Sequence, residues 1–130
     1  MIVVDASSVV DVLLGTRAAT AIEARWRRDG GPLHAPHLLD IEVLSALRHL
    51  VLEGDVTEGR TAAALSIFAR FRVRRWPHRG LRARIWELRH NLTAYDAAYV
   101  ALAERLECPL TTSDAPLARS SGHRARVELF

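Results

Sequence analysis

At 130 residues, with 49% hydrophobic and 25% charged residues, the chain has the size and balance of one packed domain, which excludes disordered and fibrous classes. No apolar segment is long enough to span a bilayer and no basic n-region precedes the first apolar run, so a cytoplasmic protein without membrane contact is expected. The single cysteine, Cys108, excludes an internal disulfide or cysteine zinc cage. The formal charge of +3 rests entirely on arginine, whose planar fork suits phosphate, although a solvated basic face gives the same count.

Ile2-Val3-Val4 is a short β-branched run that stops on Asp5. It predicts a buried strand delivering a carboxylate to the carboxyl end of an open α/β sheet, where ligands collect. The competing role for Asp5 is to cap the helix that follows. Ser8-Val9-Val10-Asp11 has the form of a capping box, so Asp11 is assigned to a cap, in a helix that stops at Gly15. Between Arg17 and Arg28, Ala18, Ala21, Ile22 and Trp26 share a helical stripe, and Leu33-His34-Ala35 reads as a second strand closed by Pro36. A helix from about His37 to Glu53 carries Leu39, Val43, Ala46 and Leu50 on its apolar face, with Asp40 turned to solvent. Glu42 falls on the flank of that face, either as a site acid or as a surface glutamate paired with an arginine.

Gly54 to Thr57 turns the chain into a helix in which Ala62, Leu65, Ile67 and Phe68 make apolar contacts up to about Phe71. Phe71 to Pro77 reads as a short strand with Arg72, Arg74 and Trp76 on one side, inside the densest basic stretch, Arg70 to Arg84. Arginines interleaved with an aromatic can grip a phosphate backbone, or they can keep an edge strand from aggregating. The next helix, from about Leu81 to Asn91, offers Ile85, Trp86 and Leu88 as buried candidates. Thr93 then opens a helix with Tyr95, Tyr99, Leu102 and Leu106 in one stripe and Asp96 beside it. A capping role for Asp96 is compatible with oxygens left free for a cation. Cys108 to Thr112 is a further parallel strand that ends on Asp114 before a short helix from Ala115 to Ser120. Asp114 therefore lies near Asp5 if the two strands are neighbours, and Arg126 to Phe130 closes the chain as an edge strand. The alternation predicts a single α/β domain over residues 1–130, a three-layer α/β/α sandwich with a mainly parallel central sheet.

Two carboxylates about 4 Å apart repel by about 4 kcal/mol at an effective dielectric near 20, against total stabilities of about 5–15 kcal/mol. If Asp5, Glu42, Asp96 and Asp114 converge, the cluster must protonate or hold cations, and acidic oxygen ligands suit Mg2+ or Mn2+. None of the six histidines shows a paired zinc spacing. A metal pair held this way polarises a phosphodiester and activates water.

Four motifs carry a family likeness: Val3-Val4-Asp5-Ala6-Ser7, Glu42-Val43-Leu44-Ser45-Ala46-Leu47, Thr93 to Ala103 around Tyr95-Asp96-Ala97-Ala98-Tyr99, and Leu110-Thr111-Thr112-Ser113-Asp114. In this order and spacing the chain resembles PIN-domain proteins, and over essentially its whole length it is similar to VapC toxins, the ribonucleases of type II toxin–antitoxin pairs. The resemblance implies that Asp5, Glu42, Asp96 and Asp114 are the catalytic, metal-binding acids of an Mg2+- or Mn2+-dependent endoribonuclease. It also implies that Ser7 and Thr112 support them, that a VapB-like antitoxin is the partner and that the protein is a homodimer. Ala115-Pro116-Leu117 departs from the pattern by offering no acid after the last motif, which bears on the second metal position. A PIN nuclease without an antitoxin and a non-catalytic α/β module binding nucleic acid or protein stay open as alternatives.

Overall fold

The computed structural model describes residues 1–130. The elements run β1 (Ile2–Val4), α1 (Ala6–Leu14), α2 (Ala19–Asp29), β2 (Leu33–Pro36), α3 (Leu39–Leu52), α4 (Glu58–Phe68), β3 (Val73–Trp76), α5 (Arg82–Glu87), α6 (Ala94–Leu106), β4 (Leu110–Thr112), α7 (Ala115–Ala118) and β5 (Val127–Leu129). All four pairings in the sheet are parallel, in the order β3-β2-β1-β4-β5. The chain therefore walks outward from β1 to β3, then jumps back to the far side of β1 to lay down β4 and β5. With right-handed crossovers that reversal puts α1 to α4 on one face and α5 and α6 on the other, giving the expected three-layer α/β/α sandwich.

The three residues of β1 and those of α6 from Ala97 to Ala103 are all 2% exposed or less. A helix buried on every side must be apolar on every side, and the small alanines let α6 lie directly against β1, β2 and β4. No helix is long and apolar enough to cross a membrane.

Several local expectations need correction. Asp5, not Ser8, caps α1, because its carboxylate takes the Ser8 N–H at 2.9 Å and starts the helix a turn earlier. Asp11 lies inside α1 and accepts from the Thr16 hydroxyl beyond its end; the helix does stop at Gly15, which has φ 63°. Ala19 replaces Ala21 on the buried side of α2, and Ala64 replaces Ala62 and Ile67 on that of α4. Leu47 completes the core face of α3, with Ala46 and Leu50 half-buried. Asp40 is not left to solvent but accepts two hydrogen bonds from Arg75, each 2.7 Å. Trp86 and Tyr95 are 68% and 65% exposed rather than core residues. The helix expected up to Asn91 breaks after Glu87 into a 3₁₀ turn, His90 ending it, and this re-aims the chain so that Leu88 alone goes in fully. Cys108 is half-buried.

Candidate active site

In a parallel sheet every strand ends on the same edge, and the place where strand order reverses opens a crevice there. Here the reversal falls between β1 and β4. Asp5 follows β1 directly and Asp114 follows β4 in the turn into α7, which both residues' positions as helix N-caps require. Glu42 stands in the first turn of α3, which leaves the end of β2, and Asp96 in the first turn of α6. All four acids picked from the sequence line one cavity of about 290 Å3, together with Ser7 and Tyr99. No arginine or histidine lines it, and none of the four acids takes part in an ion pair.

Asp5 is the anchor. Its carboxylate accepts from Ser7 Oγ at 2.9 and 2.8 Å, from Thr112 Oγ1 at 2.5 Å and from the Ser8 N–H. The same two hydroxyls accept from the other loop, Thr112 Oγ1 from the Asp114 N–H and Ser7 Oγ from the Ser113 N–H, each at 2.9 Å. The turn after β1 is thus stitched to the turn after β4 through Asp5, Ser7 and Thr112. Burial nevertheless holds the Asp5 carboxyl above the usual carboxylate range, against the pull of its Thr112, Ser8 and Ser7 donors. Burial likewise raises Glu42; the Tyr99 hydroxyl, which donates at 2.6 Å, opposes the rise, and the charges of Asp96 and Asp5 add to it. Burial and the Glu42 carboxylate push the Tyr99 phenol far up, so it stays a donor.

Helix N-termini supply part of the missing positive charge, since Asp5 caps α1 and Glu42 and Asp96 occupy first turns. A helix end is worth about 0.3–1 kcal/mol to such an acid. Beyond these helix ends and neutral donors the cavity offers the four acids no positive charge. Its donors are all hard oxygens, the type that suits a hard divalent cation. No three of the carboxylates are gathered tightly enough to share a cation as they stand. Each is turned to a donor of its own, Asp96 to Thr93 Oγ1 at 2.9 Å and Asp114 to the Leu117 N–H at 3.2 Å.

Sequence reasoning placed Tyr99 in the core and missed its contact with Glu42. The signal was its position one turn after Asp96, which puts both on one side of α6. Of the basic stretch, Arg75 and Arg84 are spent on acids, whereas Arg74, Arg79 and Arg82 are exposed and have no acidic partner.

Residues 2–122 match the family described as the PIN domain. The chain is 42% identical to ribonuclease VapC12 of Mycobacterium tuberculosis over 129 residues, covering 99% of this chain and 98% of the relative. It is 44% identical to ribonuclease VapC1 of the same organism over 128 residues, 98% and 96% of the two chains. A VapC ribonuclease of Mycobacterium bovis, Mb0985, is 46% identical over 114 residues, 88% and 86% of the two chains. Among solved structures, PAE2754 from Pyrobaculum aerophilum superposes with a TM-score of 0.70 at 23% identity, covering 97% of this chain and 81% of that one. Mycobacterium tuberculosis VapC20, a toxin that cleaves the sarcin–ricin loop, superposes with a TM-score of 0.64 at 17% identity, covering 95% and 97%. At those identities the two structures speak to the fold alone.

Proposed function

The chain belongs to the PIN-domain family, in its VapC branch, and from that premise we propose that it is an Mg2+- or Mn2+-dependent endoribonuclease, the toxin of a VapBC-type pair. The observation that carries the proposal is the meeting of Asp5, Glu42, Asp96 and Asp114, from four separate segments, in one cavity with no cationic side chain to balance them. The ribonuclease names of the relatives support the reaction, and the arginine-rich surface supports RNA as the substrate.

Asp5, Glu42, Asp96 and Asp114 would hold the cation, which when bound polarises the phosphodiester and lowers the pKa of water. Ser7 and Thr112 fix the orientation of the Asp5 carboxylate, and Tyr99 that of Glu42. Without a cation, Asp5 and Glu42 take up protons more readily than ordinary carboxylates, and the ionised cavity repels an anionic substrate. The acids therefore serve the reaction only when their charge is compensated. The same family likeness supports a VapB-like antitoxin as partner, a homodimer as the assembly and the cytoplasm as the place of action.

Asp96→Asn and Asp5→Asn each keep a side chain able to cap or to bond its neighbours. Both should lose Mn2+-dependent RNA cleavage while retaining a cooperative thermal transition. Unchanged cleavage by either pure variant overturns the assignment. Calorimetric titration with Mn2+ separates the enzyme from a non-catalytic module, which would show no saturable binding.

A further inference from the structure

Glu42 is the one acid of the four whose helix begins without a cap of its own. Asp5 and Asp114 cap α1 and α7 with their own carboxylates, and Thr93 caps α6 three residues before Asp96. Helix α3 instead starts on Leu38, an apolar residue in helical conformation whose side chain caps nothing. The first N–H groups of a helix have no partner inside it, so this end must be held from elsewhere.

The sheet register supplies the partner. Pro36 of β2 is aligned with Trp76 of β3, and two places further along each chain Leu38 and His78 meet, the Leu38 N–H donating to His78 Nε2 at 3.2 Å. His78 is itself set by its backbone, which opens the 3₁₀ turn His78–Gly80 and accepts from the Leu81 N–H at 2.8 Å. Just before it, the Trp76 carbonyl accepts from the His37 N–H at 2.9 Å and Arg75 holds Asp40. The end of β3 thus grips the start of α3 at three points. From Leu38 the bonds continue inward: its carbonyl accepts from the Glu42 N–H at 3.0 Å, and the Glu42 carboxylate accepts from Tyr99.

A neutral imidazole carries one proton and one lone pair, so accepting at Nε2 puts the proton on Nδ1. A second proton removes the lone pair and sets one N–H against another. Burial, with the charge of His37 adding to it, holds the His78 imidazole below the ordinary histidine range and keeps it an acceptor. His37, on the loop after β2, faces it with ring centres 6.1 Å apart; Asp40 on α3 is taken up by Arg75, and Arg79 in its own turn is exposed.

We propose that His78 is a positioning residue for Glu42: its neutral imidazole fixes the first turn of α3, and with it the side of the acid cavity that Glu42 supplies. The inference rests on the nuclease reading for the use made of Glu42, and it names a residue outside the cavity lining on which that use depends.

The test uses full-length protein and two variants. His78→Gln keeps an acceptor that does not titrate, and His78→Phe keeps a ring that cannot accept. Without divalent metal, long-range 1H–15N spectra of the wild type should show His78 as the Nδ1–H tautomer. Exchange of the Glu42 amide should quicken about fivefold in His78→Phe and stay near the wild-type rate in His78→Gln. Calorimetric titration at neutral pH should give Mn2+ affinity about tenfold weaker in His78→Phe, as for residues that orient a ligand, and restored in His78→Gln. As pH falls through the His78 midpoint, the wild type should lose affinity that His78→Gln retains. An Nε2–H tautomer overturns the proposal. So does unaltered Mn2+ affinity in His78→Phe, whose looser amide then marks a cap without consequence for the site. If His78→Phe does not fold, the gap between wild type and His78→Gln at low pH decides, and its absence overturns the proposal. A wild type without saturable Mn2+ binding, in which the Glu42 amide loosens only on His78→Phe, sinks the nuclease reading alone and leaves His78 holding Glu42.

Discussion

Helix α6 carries an acid near each end, and the molecule treats the two in opposite ways. Asp96, in the first turn, faces a cavity shared with three further carboxylates and no cation. Glu104, toward the other end, has a side chain only 8% exposed and accepts from Arg84 at 2.7 and 3.0 Å and from the Arg124 N–H at 2.8 Å. The Arg84 guanidinium is the main reason its carboxyl sits below the usual range. Helix polarity makes the difference intelligible: the positive end of α6 tolerates Asp96 unpaired, whereas the negative end disfavours Glu104 unless a cation answers it. Glu104 is fully compensated by Arg84 and the Arg124 N–H, whereas Asp96 has only the Thr93 hydroxyl and the helix end.

Exchanging the two acids' fates would break this contrast most directly. Asp96→Asn should lower RNA cleavage by at least about 100-fold and shift unfolding free energy by no more than about 0.5 kcal/mol. Glu104→Ala should leave cleavage chemistry in place and cost about 2 kcal/mol of stability, because it strands a partly buried guanidinium and an N–H; the full penalty of a broken buried pair is larger, but Arg84 is one-third exposed and still meets Glu87. Urea titrations and single-turnover cleavage on both variants decide it, and a stability loss confined to Asp96→Asn would reverse the roles.

A second prediction uses protons. The raised carboxyls of Asp5 and Glu42 mean that the folded chain keeps protons which the unfolded chain has already released. Their contribution to stability is therefore present at low pH and lost as pH climbs from the ordinary carboxylate range through their raised values. Glu104, depressed by Arg84, contributes in the other sense: its share is present above the ordinary range and lost as pH falls through its lowered value. Mn2+ competes with protons for the cavity only. Thermal melts from pH 4 to 8 should show a metal-dependent gain that grows with pH, about 2.7 kcal/mol at a free concentration one hundred times Kd. Asp5→Asn should shrink that gain, and Glu104→Gln should leave it intact.

The smallest expected effect sharpens the contrast inside the cavity itself. Tyr99→Phe removes the one neutral donor that opposes the rise of Glu42. Mn2+ affinity should fall about tenfold, as for other residues that orient a ligand, with stability altered by about 1 kcal/mol. An unchanged Mn2+ titration would show that Glu42 needs no such support.

Much of this was legible in the chain because strand-then-acid is a local pattern with one geometric outcome. Asp5 and Asp114 declared themselves in that way, and the pairing of β1 with β4 brought together the two turns that carry them. Glu42 and Asp96 were legible as acids on the margin of apolar stripes. What escaped were contacts between elements far apart in sequence, such as Arg75 with Asp40 and Tyr99 with Glu42, which no helical wheel contains. Trp86 and Tyr95 were misplaced for a related reason. Aromatic residues in a stripe look buried, and only the break after Glu87 and the way α6 enters the structure turn them outward. The capping box at Ser8 failed because a stronger cap three residues earlier had already taken its N–H.

The stitch from Asp5 to Thr112 joins positions 107 residues apart. A ribosome adding residues in order must release the chain as far as Asp114 before the turn after β4 can close on the turn after β1. Until then the cavity is without Asp114 and Asp5 is short of its Thr112 partner. The four-acid cavity is thus completed only when the C-terminal end of the chain is in place.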